Sequence, residues 1–120
     1  MAKILIAEDD NSMRQFLSMA LTKAGHEVTA CEDGTSALET LKQTSDFDLL
    51  LADIIMPGMD GIELSQKATE LSSSLKVMFI TGFAGVALGE RNPEHDKAQV
   101  LSKPFHLKEL VDQVESLLAA

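Results

Sequence analysis

Four consecutive apolar residues, Leu49-Leu50-Leu51-Ala52, run straight into a carboxylate, Asp53, and soon after into the breaker pair Pro57-Gly58. The run is too short for an ordinary helix and is bounded by turn residues, so it predicts a strand buried on both faces. Strands of that kind belong to parallel sheets, whose crossover helices cover both sides. Asp60 follows, placed to cap the next helix through its side-chain oxygen. An acid at the carboxyl end of such a strand stands at the mouth of the crevice where open α/β sheets bind ligands. Alone, it is equally well accounted for as a solvated strand end; the rest of the chain decides.

Lys3-Ile4-Leu5-Ile6-Ala7 is a second such run and ends on Glu8-Asp9-Asp10. Behind it Met13, Phe16, Leu17, Ala20, Leu21 and Ala24 recur at helical spacing. Asn11 or Ser12 is placed to cap that helix, and Asp10 suits the same role. Gly25 ends it by taking a left-handed conformation cheaply. The more polar stretch Glu27–Cys31 alternates Val28 and Ala30 with Thr29 and Cys31, as an edge strand does. Asp33-Gly34 turns the chain into a helix marked by Ala37, Leu38 and Leu41. After Asp60-Gly61, the residues Ile62, Leu64, Ala68 and Leu71 mark a third helix, closed by Ser72-Ser73-Ser74. Val77-Met78-Phe79-Ile80 is another apolar strand, ending on Thr81-Gly82. Gly85, Gly89 and Pro93 leave room for only a short helix in the weak segment 83–96, over 84–88. Val100-Leu101 is a short strand ending on Ser102-Lys103-Pro104, and Leu107, Leu110, Val111, Val114, Leu117 and Leu118 mark the last helix. The alternation predicts an α/β fold, a doubly wound five-stranded parallel sheet in one domain over 1–120 with no output domain attached.

Composition excludes several functions. A formal charge of −9 opposes sequence-independent nucleic-acid binding, which depends on basic residues displacing counterions. The same charge disfavours an anionic membrane surface, and no apolar run approaches a membrane span or a signal peptide's h-region. Cys31, the one cysteine, has no partner for an internal disulfide and fits a reducing cytoplasm. Protein partners and small ligands remain.

In a parallel sheet all carboxyl ends point one way, so Glu8, Asp9, Asp53, Thr81 and Lys103 converge on one rim. Carboxylates about 4 Å apart repel by roughly 4 kcal/mol per pair at an effective dielectric near 20. A divalent cation removes that cost, and an all-oxygen ligand set with few carboxylates suits Mg2+. Lys103 adds a mobile cation and Thr81 a hydroxyl, both suited to phosphate oxygens. The chemistry implied is phosphoryl transfer onto Asp53 as nucleophile. Each residue has a plainer role open to it: acids cap helices, Lys-Pro makes turns, threonines satisfy backbone groups. Their occurrence at successive strand ends, in this order, favours the chemistry.

Glu8-Asp9, Asp53 with its tail Ile54-Ile55-Met56-Pro57-Gly58-Met59-Asp60-Gly61, Thr81-Gly82 and Lys103-Pro104 together resemble a response-regulator receiver domain, across essentially the whole chain. The resemblance implies the flavodoxin-like sheet order 2-1-3-4-5. It implies that Asp53 takes a phosphoryl group from a histidine kinase or a histidine phosphotransfer protein. Asp9 and Asp53 would then ligate Mg2+ directly with the Ile55 backbone carbonyl, Glu8 would act through water, and Thr81 and Lys103 would contact the phosphoryl group. Such a chain is mostly monomeric and is no enzyme beyond its own phosphorylation and dephosphorylation.

Ala7-Glu8-Asp9-Asp10-Asn11, the stretch from Met78 to Ala84, Val100-Leu101-Ser102-Lys103-Pro104 and the Leu-Ala-Ala end are similar to single-domain regulators of alphaproteobacteria. That likeness implies a cell-cycle phosphorelay with its output on the ClpXP protease. One position departs from the receiver pattern. Three residues before the lysine, where many receivers carry Tyr or Phe, stands Val100, so the segment 83–96 is expected to be the mobile element instead. His26, His95 and His106 are read as surface residues, and the methionines mostly as core filler. A dehalogenase-type phosphatase would want a second Asp at position 55, which is Ile55, and a flavodoxin would not put Glu8-Asp9-Asp10 beside a flavin phosphate. Within the receiver class, a phosphate-passing intermediate or sink is the alternative to an output adaptor.

Overall fold

The computed structural model places strands and helices in the order that the alternating periodicities predict. It describes residues 2–44, 46–81, 99–103 and 105–119. The elements are β1 (Lys3–Ala7), α1 (Asn11–Lys23), β2 (Glu27–Cys31), α2 (Gly34–Gln43), β3 (Leu49–Asp53), α3 (Gly61–Leu71), β4 (Lys76–Thr81), β5 (Gln99–Ser102) and α4 (Leu107–Ala119). The strands form one sheet in the order β2-β1-β3-β4-β5, every neighbouring pair parallel. The short helix expected over 84–88 lies outside the described residues.

Alternate side chains of the inner strands go to opposite faces, and both faces are dry. Leu5, Leu50, Ala52, Val77 and Phe79 pack with Leu41 of α2 and Leu64 of α3 in one cluster. Ile4, Ile6, Leu51, Met78 and Ile80 pack with Leu21 of α1 and Val114 of α4 in the other. Leu49, Leu50 and Leu51 have no exposed surface, and full burial of each contributes about 1.5–3 kcal/mol. Two-sided burial is what makes the run continuous rather than alternating. β2, paired only with β1, is half-exposed along its length, as an edge strand must be.

Helices α1 to α3 each begin on an aspartate at the carboxyl rim. Asp10, Asp33 and Asp60 accept hydrogen bonds from the backbone N–H groups of Met13, Ser36 and Glu63 at 2.9, 2.7 and 2.8 Å. Each such cap is worth about 1 kcal/mol. Asn11 and Ser12, also placed as caps for α1, are already inside the helix: Asp10 is the last residue with extended backbone, so its oxygen reaches first. Asp33-Gly34, read as a turn, is a cap followed by the first helical residue. At the other end of α1, Gly25 takes φ +99°. Its N–H donates to Thr22 O at 3.0 Å and that of His26 to Leu21 O at 3.1 Å, the Schellman arrangement.

Three residues depart from their expected burial. Leu71 and Leu107 lie on apolar stripes by spacing but are 46% and 45% exposed, because they are the last residue of α3 and the first of α4. His26, read as a surface residue, is buried at the amino end of the sheet. Its Nε2 lies 2.7 Å from Oε2 of Glu115 on α4, and its Nδ1 accepts from the Ala2 backbone N–H at 3.2 Å.

Candidate functional site

The carboxyl rim is built from the ends of β1, β3, β4 and β5. Glu8 directly follows β1 and has no exposed surface, Asp9 after it is exposed, and Asp53 closes β3 with 5% exposure. One carboxylate oxygen from each of these three lies within 4.8 Å of the others. Asp10 is not part of this cluster, its carboxylate being engaged as the α1 cap.

Hydrogen bonds hold the cluster without exhausting its acceptors. Asp53 Oδ1 accepts from the Ile55 backbone N–H at 3.1 Å, and Oδ2 accepts from Lys103 Nζ at 2.9 Å. Glu8 Oε2 accepts from the Asp10 backbone N–H at 3.1 Å. Its other oxygen, Oε1, is buried without a hydrogen-bond partner and lies 3.5 Å from Lys103 Nζ. A buried carboxylate oxygen left in that condition, beside two further carboxylates, is a donor set that a hard divalent cation fits.

The charges act on one another. Burial pushes the Glu8 carboxyl up to about 7, and the nearby Asp53 charge adds to that, against the Asp10 N–H and Lys103. For the Lys103 ammonium, burial pulls downward, but the Asp53 hydrogen bond and the attraction of Asp53 and Glu8 outweigh it and leave it raised. Lys103 is thus a held cation, the local counter-charge to two buried acids.

Thr81 closes β4, is 1% exposed, and its carbonyl accepts the Lys103 backbone N–H at 2.9 Å. Register pairing of Thr81 with Ser102 brings the two strand ends level. Side-chain distances bring Glu8, Asp9, Asp53 and Lys103 together at the rim, and the main chain of Thr81 ends level with them. Ile55 lies in the loop after β3 with its side chain 55% exposed. Val100 is half-buried against the α2–α3 face cluster.

Two contributors were not read as site residues from the sequence. A Cβ on Gly61 would stand 2.2 Å from the Asp53 carbonyl oxygen, so only glycine lets α3 start this close to the end of β3. Its N–H also fastens the loop by donating to the Ile54 carbonyl at 2.9 Å. Arg14 of α1 donates from Nη1 to the Glu8 carbonyl at 2.9 Å and from Nη2 to Asn11 Oδ1. A cation early in a helix, where the macrodipole favours acids, was the available signal.

Comparison with known proteins agrees with this geometry. The family model described as the response regulator receiver domain matches residues 4–115. Over 123 aligned residues the chain is 58% identical to the response regulator receiver protein CpdR of Brucella abortus (strain 2308), covering 100% of this chain and 99% of that one. Among solved structures, the receiver domain of the hybrid histidine kinase CckA superposes with a TM-score of 0.81 at 33% identity, over 97% of this chain and 98% of that one. The response regulator TrrA of Thermotoga maritima, in complex with Mg(2+)-BeF, gives a TM-score of 0.82 at 26% identity, over 98% of this chain and 99% of that one. Among the described residues, no helix is long and apolar enough to cross a membrane.

Proposed function

The chain belongs to the response regulator receiver domain family, and from that membership we propose that it is a single-domain response regulator, phosphorylated on Asp53 with Mg2+ as cofactor. The observation that carries the reading is the pairing of Asp53 with Lys103 at 2.9 Å inside a cluster of three carboxylates. Its Glu8/Asp9/Asp53 cluster is of the kind typical of the receiver Mg2+ site. Asp9 and Asp53, with the Ile55 backbone carbonyl, would hold the ion directly, and Glu8 would hold it through water. Bound there, Mg2+ would neutralise charge on the phosphoryl oxygens.

The chain's own residues do the rest. An Asp53 carboxylate oxygen attacks phosphorus as the donor's bond to phosphorus breaks, and the leaving histidine nitrogen departs with the electron pair. Lys103, already in reach of Oδ2, follows the negative charge from the carboxylate to the phosphoryl oxygens. The Thr81 hydroxyl donates to another of those oxygens. Burial of Asp53 shields the carboxyl side of the acyl phosphate once formed, while the phosphoryl oxygens face the open rim.

Membership in the family implies a phosphodonor kinase. We assign the donor as a histidine kinase or a histidine phosphotransfer protein. We read the output as a protein–protein contact made by the domain's own surface, in the cytoplasm and from a monomer. ClpXP protease is the output partner implied by the likeness to alphaproteobacterial single-domain regulators.

Acetyl phosphate with Mg2+ tests the chemistry on the purified chain. A single hydroxylamine-labile phosphoryl group is expected by intact mass, suppressed by EDTA and absent in Asp53→Asn. Modification that persists in Asp53→Asn overturns the assignment.

A further inference from the structure

We propose that Arg14 is a positioning residue for the cation site, its guanidinium fork setting where Asp9 stands. The inference rests on the receiver reading of Asp53 and its neighbouring acids.

The need for Arg14 arises where β1 runs out of partner. The β1–β2 register stops at Ala7 and Cys31. One residue further, the Glu8 N–H still reaches the Cys31 carbonyl at 3.1 Å. By then β2 has ended and the chain is turning towards Asp33, which caps α2. The Glu8 carbonyl, in a residue with no exposed surface, has therefore left the ladder, and a buried carbonyl requires a donor. Arg14 Nη1 supplies it at 2.9 Å.

The second arm of the fork makes this contact a matter of geometry for the site. Nη2 donates to Oδ1 of Asn11, the first residue of α1. One planar group thus joins the end of β1 to the start of α1, and the residues between those anchors are Asp9 and Asp10. Asp10 is itself fastened twice, by its N–H to Glu8 Oε2 and by its carboxylate to the Met13 N–H. Asp9 is the exposed residue left between fixed flanks, and its carboxylate nonetheless meets those of Glu8 and Asp53 within 4.8 Å. Among the described residues Arg14 makes no ion pair with any of the three. It acts on them through backbone and Asn11 alone. A lysine keeps the charge and the stem but has no rigid fork to span two acceptors.

The test uses the full chain. Mg2+ binding is titrated calorimetrically for the wild type, Arg14→Lys, Arg14→Ala and Asn11→Ala, and acetyl phosphate labelling is followed across Mg2+ concentration. Both Arg14 variants should weaken Mg2+ binding on the order of 10-fold, as loss of residues that orient metal ligands does. Asn11→Ala should weaken it less, and the labelling rate at saturating Mg2+ should return close to that of the wild type. Should Arg14→Ala misfold, Arg14→Lys carries the comparison. Wild-type Mg2+ affinity in Arg14→Lys overturns the proposal, whether or not the unfolding midpoint drops. So does a fall in rate at saturating Mg2+ with affinity unchanged, which would put Arg14 at the phosphodonor. A wild-type chain that takes up no Mg2+ overturns the receiver reading beneath it, and this inference with it.

Discussion

Lys103 Nζ meets Asp53 Oδ2 at 2.9 Å, across 50 positions of sequence. The contact exists because β5 and β3 end at the same rim, with β4 between them. Lys103→Ala leaves Asp53 and Glu8 facing each other without a counter-charge. The expected loss is about 1–3 kcal/mol in urea unfolding at neutral pH without divalent cation, less than for a fully buried pair because the lysine is partly solvated. Added Mg2+ should recover part of it while labelling by acetyl phosphate stays impaired. An unchanged midpoint would show the pair to be energetically idle.

Glu8 makes stability depend on pH in a direction opposite to that of a salt-bridged acid. Its folded value of about 7 lies above the ordinary 4.5, so the folded state keeps a proton that the unfolded chain gives up earlier. Stability from this residue is full below pH 4.5 and is lost as pH rises towards 7, by on the order of 3 kcal/mol. Glu8→Gln, which has no charge to bury, should therefore gain on the wild type across that window in EDTA. Equal pH profiles for the two would refute the shift.

Gly61→Ala offers a sign test. In an unobstructed helix, alanine for glycine stabilises by about 0.5–1 kcal/mol. Here the new Cβ would stand 2.2 Å from the Asp53 carbonyl oxygen, and overpacking should instead cost about 2 kcal/mol or more. Thermal unfolding gives the sign, and the labelling rate should fall with it because the carbonyl of Asp53, the proposed acceptor, is displaced. A stabilised variant would mean that α3 can retreat freely from β3.

At the other end of the sheet His26 fastens α4 to the start of β1, through Glu115 at 2.7 Å and the Ala2 N–H at 3.2 Å. With Nδ1 accepting, the proton sits on Nε2 and points at the carboxylate. His26→Ala should loosen both chain ends at a cost of about 1–2 kcal/mol. Hydrogen exchange in α4 should rise while phosphoryl acceptance on Asp53 is preserved. Exchange confined to the rim would contradict that separation.

These residues also mark the limit of what a linear sequence discloses. The strands were legible because burial on both faces leaves no polar position inside Leu49-Leu50-Leu51-Ala52. The rim was legible because parallel topology sends every strand's last residue to one side. The cap of α1 was not fixed to one residue, since Asp10, Asn11 and Ser12 all carry a suitable oxygen and only backbone conformation chooses among them. His26 was misread because its partners stand 24 and 89 positions away. Arg14 and Gly61 act on main-chain carbonyls, which every residue has and no side-chain pattern reveals. The reading of 83–96 as the mobile element falls outside the described residues.

All five residues of β3 are buried, and this shapes how a charge on Asp53 is felt elsewhere. Behind the carboxylate lies weakly polarisable hydrocarbon, in front of it the open rim. Low-dielectric walls focus field lines towards the side where solvent is. A phosphoryl group there would act less as a source radiating through the whole domain than as a lamp with a reflector behind it. A partner arriving over the rim would meet the added charge at close to full strength, screened by salt beyond about 8 Å at physiological ionic strength. At the amino end of the strands the same charge would have to be conveyed by movement, because its field is directed the other way.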